Sequence, residues 1–293
     1  SSGSAAAVAD RMCPLALGTQ TNGSVVRPAS FCGVVGFKPT HGLISRAGVL
    51  MQSRTLDHVG VFARDVADAA MLADLLVGYD AGDLDTRPAA APGLLTAATA
   101  DGVPPPSFAF VRTPVWDSAE AATQAAFEEL VENLGDRTVE IALPDGFAQA
   151  HTALSAIMVA EQAFNYGALW ERGRDGMSPA LRGMIERGRT VTAVEWHQAV
   201  ATALALRHLI APWFERYDAI LTPAATGEAP IGLDSTGNPV FCTIWSLLGV
   251  PAISLPLLRG PAGLPVGVQL VGRQREDGRL LKAAAWLERH VAS

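Results

Sequence analysis

The feature that most constrains this chain is a rhythm. Short apolar runs, closed off by glycine or proline, alternate with stretches of helical periodicity. Residues 14–17 (PLAL), 34–37 (VVGF), 59–62 (VGVF) and 108–111 (FAFV) have strand length, as do 139–143, 219–222, 252–257 and 266–271. Between them lie helical patterns. Residues 1–12 read as a Ser/Gly turn entering an Ala-rich helix, with Ser4 as N-cap. Residues 65–76 place Val66, Ala69, Ala70, Leu72, Ala73 and Leu76 on one side. Asp117 with Glu120 resembles a capping box ahead of Phe127, Leu130, Val131 and Leu134. Thr192 with Glu195 offers a second, with Trp196, Val200 and Leu204 along one face. Phe241, Ile244 and Leu248 mark a further helix, and Leu280, Ala284, Leu287 and Val291 the last. Strands alternating with helices predict an α/β fold, a central mixed sheet flanked by helices.

The chain has 293 residues, 49% of them hydrophobic, enough for one large domain or two tightly joined ones. Residues 78–106, rich in Gly, Pro, Ala and Asp, read as a loop-rich excursion and the internal boundary. Residues 145–218 read as mostly helical, and substrate specificity is expected there, with Trp170 and Met177 as candidates. The net charge of −7 argues against general nucleic-acid binding. Three cysteines, Cys13, Cys32 and Cys242, have no metal-ligand spacing and read as reduced core thiols. No apolar run has the length of a membrane span, and a cytoplasmic location is expected. The chain opens on serine inside a Ser/Gly/Ala pattern and reads as the C-terminal part of a longer one.

The chemistry is carried by residues 18–33, GTQTNGSVVRPASFCG. Gly18, Asn22 and Gly23 accept backbone conformations that most residues resist. A chain bent by them can turn successive N–H groups into one concavity, and a helix beginning near Ser24 would add its own free donors. Ser24 on that rim would sit beside donors suited to an oxyanion, each contributing about 3–4 kcal/mol to acyl transfer. An ordinary connecting loop has the same composition and is the commoner use of it. A serine nucleophile also needs a base. None of the six histidines falls in an evident catalytic loop, no G-x-S-x-G elbow is present, and the two lysines are Lys38 and Lys282.

The segments SSGSAAAVA and PLALGTQTNGSVVRPASFCGVVGFKPTHGLISRAGV closely resemble the amidase signature family. The resemblance is dense over residues 1 to 75. It returns at DAILTPA, GVPAISLP and GLPVGVQLVG, and is only a matter of layout over 78–218. It implies an α/β fold with a central mixed sheet, and a Ser–cis-Ser–Lys triad that needs neither cofactor nor metal. Ser24 takes the nucleophile position, with the amides of Thr21, Asn22, Gly23 and Ser24 as the oxyanion hole. The bridging serine falls one position ahead of Ser1, unless Ser1 substitutes, and the lysine lies further upstream. Lys38 matches a different position.

The implied reaction is hydrolysis of a small carboxamide through a serine acyl-enzyme, releasing a carboxylate and ammonia or an amine. The partner implied is a small-molecule amide, with no nucleic acid and no membrane; a homodimer is the assembly kept open. Arg27 is expected to orient the catalytic loop or bind a substrate carboxylate. Gln20, where many relatives carry Asp, would leave Arg27 free for substrate. Asn22 replaces a common glycine. Asp57 is expected to be structural, and Trp245 to narrow an acyl pocket or simply pack. Two other readings stay open. One is a catalytically incomplete paralogue acting as a binding module, and the other an amidotransferase component serving aminoacylated tRNA. Without the upstream segment, the isolated chain is expected to be poorly soluble or molten.

Overall fold

The computed structural model describes residues 1–102 and 104–291; Val103, inside the loop-rich excursion, lies outside the described residues. The strands are β1 (Ala16–Gln20), β2 (Val35–Lys38), β3 (His58–Ala63), β4 (Phe108–Phe110), β5 (Thr138–Glu140), β6 (Ala219–Pro223), β7 (Ala252–Arg259) and β8 (Pro265–Val271). They form one sheet in the order β1-β3-β2-β7-β8-β6-β4-β5. The pairs from β1 through β8 to β6 are antiparallel, and β4 runs parallel to both β6 and β5. The sheet is mixed, as the alternating pattern predicts.

Strand side chains alternate between faces, and that alternation sorts the core into two halves. Phe108 and Phe110, Ala219 and Leu221, and Ile253 and Leu255 face one cluster. It is closed by α3 (Val66–Leu76), α4 (Leu94–Ala98), α5 (Ala121–Leu134) and α11 (Asp277–Val291). Ala109, Ile220 and Ala252 face the other. That side is closed by α6 (Ala150–Asn165), α9 (Ala193–Ile210) and α10 (Val240–Leu247). On β3, Val59, Val61 and Ala63 face the first cluster, so Phe62, between the last two, faces away from it. There Phe62 joins Ala5, Val8, Val25, Ala29 and Val34 in a small cluster that seats α1 (Ser2–Ala9) on α2 (Val26–Cys32). The remaining helices, α7 (Gly167–Gly173) and α8 (Pro179–Gly188), pack outside α6.

Several local expectations are corrected. The N-cap of α1 is Ser1, not Ser4. No capping box opens α5: Asp117 sits in a 3-10 turn, and the N-cap Glu120 makes no side-chain capping bond. The excursion 78–106 contains α4, whose Leu94 and Ala98 are core residues. Leu204 is 48% exposed, and the buried face of α9 is Ala199, Ala203, Leu206 and Ile210. Ala199 and Ala203 leave room for that helix to approach α6, Leu206 and Ile210 fill the core beside them, and Leu204 points outward. The capping box of Thr192 and Glu195 is present, both reciprocal bonds made.

Candidate active site

The candidate site is the loop that leaves the end of β1 and enters α2. The backbone amides of Thr21, Asn22, Gly23 and Ser24 donate to no acceptor among the described residues. The next two are both taken: Gln20 Oε1 accepts from Val25 N at 2.8 Å and from Val26 N at 2.9 Å. Buried amides are almost always paired. Four consecutive free ones, on buried Thr21 and Gly23 and half-buried Asn22 and Ser24, are therefore donors poised for an acceptor. Ser24 Oγ has no protein partner among the described residues and stands at the end of this row.

The loop is held from two sides, by the Asp57 segment and by α10. Thr21 Oγ1 donates to Asp57 Oδ1 at 2.6 Å, and Asp57 Oδ2 accepts from the amides of Gln52 and Ser53 at 2.7 and 2.9 Å. Burial pushes the Asp57 carboxyl above the usual carboxylate range, and these hydrogen bonds pull against it. Asp57 is thus a brace, the structural role expected for it. From α10, Thr243 Oγ1 donates to Asn22 Oδ1 at 2.9 Å, and Ser246 Oγ donates to the Asn22 carbonyl. Gln20, 1% exposed, donates its Nε2 to Ser246 Oγ at 2.9 Å. Gly23 is pressed on the start of the same helix. A Cβ there would lie 2.7 Å from Pro239 Cβ and 3.1 Å from Cys242 Cβ, so no side chain fits.

Arg27, in the first turn of α2, is 9% exposed. It makes no ion pair among the described residues. Its Nη2 reaches Thr236 Oγ1 at 3.3 Å and its Nε is buried without a partner. Burial lowers its pKa, an effect only partly offset by Cys242. Gln20 does not contact it, being spent on Val25, Val26 and Ser246. Ser1 makes no hydrogen bond to Ser24: its Oγ donates to Thr19 O at 2.9 Å and accepts from Thr19 N at 3.0 Å. Lys38 makes no hydrogen bond to Ser24 either. It is fully buried, with Nζ on the carbonyls of Val250 and Pro39 at 2.5 and 3.4 Å.

Trp245 is fully buried in the core beneath α6 and α9, where it packs. Trp170 lies between the guanidiniums of Arg174 and Arg189, at 4.6 and 4.8 Å from the ring, and packs α7 against α8. A cleft of about 730 Å³ runs beside α6 and α9, lined by Met51, Arg54, Glu161, Phe164, Trp196 and Arg207 among others. Neither Trp170 nor Met177 lines it, and neither does Ser24. No group of three metal-ligating side chains occurs among the described residues. Sequence reasoning missed Thr243 and Ser246, which clamp the loop. The one signal available was two hydroxyls three residues apart inside an otherwise apolar helix.

The chain is 33% identical to a component of the glutamyl-tRNA(Gln) amidotransferase of Ruegeria sp. (strain TM1040), over 98% of its own length and 66% of that protein's. It is 31% identical to the mitochondrial counterpart of Mus musculus, over 99% and 62%. It therefore spans somewhat less than two thirds of these curated relatives. Among solved structures it superposes on a 6-aminohexanoate cyclic dimer hydrolase with a TM-score of 0.85 at 28% identity, covering all of this chain and 67% of that one. The amidase family model matches residues 1–281. With the match running through the Ser24 loop, the clamp on α10 and the whole sheet, the chain belongs to the amidase family.

Proposed function

We propose that this chain carries the nucleophile and oxyanion-binding part of an amide hydrolase. Ser24 Oγ attacks a carboxamide carbonyl. The oxyanion that forms is received by the amides of Thr21, Asn22, Gly23 and Ser24. Ammonia or an amine leaves, and water releases the carboxylate from the acyl-enzyme. One observation carries this reading: four consecutive unpaired amides ending at a half-buried serine. Donors fixed before the reaction begins need no reorganisation in the transition state, which makes such a cradle effective. The base that removes the Ser24 proton is not among the residues placed around it. Arg27 supports a substrate that carries its own negative charge, being a nearly buried cation with no acid partner among the described residues. No cofactor is needed for these steps.

The test uses the intact protein from its source with a panel of small carboxamides. Ammonia or amine release is expected from the wild type. Ser24→Ala is expected to lower kcat by about three orders of magnitude or more with the fold retained. Equal turnover by wild type and Ser24→Ala would sink the assignment. A second reading follows the names of the relatives, which are components of a glutamyl-tRNA(Gln) amidotransferase. Under it, amide cleavage would depend on an added partner, so stimulation of turnover by a co-purifying protein would favour it.

A further inference from the structure

We propose that Ser246 is a positioning residue for amide cleavage, and that Gln20 sets the direction of its proton. The proposal rests on the reading of Ser24 as nucleophile. Its basis is the geometry of one peptide unit. In a trans peptide the C=O and the following N–H point in opposite directions. The Asn22 carbonyl accepts from Ser246 Oγ and so faces α10. The N–H of Gly23, the other half of that unit, must then face away from α10. It is one of the four free amides. Ser246 thus aims an oxyanion donor without touching the substrate.

A hydroxyl has one proton to give, and its direction depends on its other neighbour. Gln20 supplies that neighbour. Its Oε1 is fixed by two backbone donors, Val25 N and Val26 N, so its Nε2 must be the end that meets Ser246. The Nε2–H occupies a lone pair of Ser246 Oγ and leaves the Oγ–H for Asn22 O. The relay runs one way: Gln20 amide, Ser246 hydroxyl, Asn22 carbonyl. An ionised carboxylate at position 20 can only accept. It would draw the Ser246 proton to itself and release the Asn22 carbonyl. Serine inside a helix ordinarily returns its hydroxyl to the carbonyl four residues back. Ser246 is fully buried and makes neither of its bonds within α10, so its hydroxyl is committed to the loop.

The experiment measures kcat, KM and Tm of the intact protein on one carboxamide, for wild type, Ser246→Ala, Ser246→Thr and Gln20→Glu. Ser246→Ala is expected to lower kcat by at least about tenfold, a fraction of the loss of a whole oxyanion donor, with KM within about twofold. Ser246→Thr, which keeps the hydroxyl, is expected to recover most of kcat. Gln20→Glu, nearly isosteric, is expected to lose kcat as Ser246→Ala does, and so tests the relay even where the alanine variant fails to fold. Unchanged kcat in Ser246→Ala or Gln20→Glu, or a loss that follows Tm in every variant, overturns the proposal. An inactive wild type would overturn the reading beneath it instead, and is told apart by the absence of any turnover to compare.

Discussion

Arg27 is the residue whose energetics ask most for an explanation. A guanidinium taken out of water without a carboxylate is costly unless something anionic completes it. Thr236 Oγ1 at 3.3 Å is a weak partner for it. A substrate carboxylate would form charge-assisted hydrogen bonds there, each contributing about 1.5–3 kcal/mol. Arg27→Ala is therefore expected to raise KM for amides bearing a second carboxylate by roughly ten- to a hundredfold, with neutral amides much less affected. Initial rates on a matched pair of charged and neutral amides check this; an equal effect on both would remove Arg27 from substrate binding. The expected reason for the glycines is corrected: none of Gly18, Asn22 and Gly23 has a positive φ, and Gly23 is glycine because its packing on Pro239 leaves no room for a side chain. The clamps were not legible, because Gln20 and Ser246 are 226 positions apart and nothing local to either names the other.

At the scale of elements, the apolar rhythm predicted every strand that the sheet contains, displaced by a few residues at most. β1 begins two residues later than its apolar run suggests and continues through the polar Thr19 and Gln20, because pairing with β3 extends it. Faces were harder to read than existence. On α9 the large residues drew the eye, yet half of the buried stripe is alanine, where the helix packs close to α6. The same closeness governs α8. A Cβ on Gly188 would sit 1.9 Å from the carbonyl oxygen of Val159 on α6, so the two backbones touch there. Gly188→Ala is expected to force them apart and destabilise the protein by about 1–3 kcal/mol, seen as a lower denaturation midpoint. A midpoint equal to the wild type would mean that α8 moves freely on α6.

At the scale of the whole molecule, Lys38 ties stability to pH. Burial pushes its pKa down to about 7 from 10.5, against the pull of Asp277 and Cys242. His58 and His41 lie in the same region, each held below its ordinary value by burial first, with the Lys38 charge among the lesser causes. Between pH 7 and 10 the unfolded chain holds the lysine proton and the folded one does not, so unfolding takes up a proton. Stability from this group therefore rises with pH across that window, and its penalty is complete below the folded pKa. Wild type is expected to gain Tm from about pH 7 to about pH 9 more than Lys38→Met does. Parallel shifts in the two proteins would mean that the lysine stays charged inside. No helix among the described residues is long and apolar enough to cross a membrane.

The sheet order has a consequence in time. β2, just after the Ser24 loop, pairs with β7, and the loop is clamped by α10, both from the last sixty residues of the chain. Contacts of such separation close slowly and only after the far segment exists. A ribosome reaches Ser24 long before it reaches Ser246. Until α10 emerges, the row of amides beside Ser24 lacks the clamps from Thr243 and Ser246 and keeps only the hold of Asp57 and Gln20. On the role proposed for Ser24, synthesis itself would keep it idle until α10, which clamps its loop, has been made.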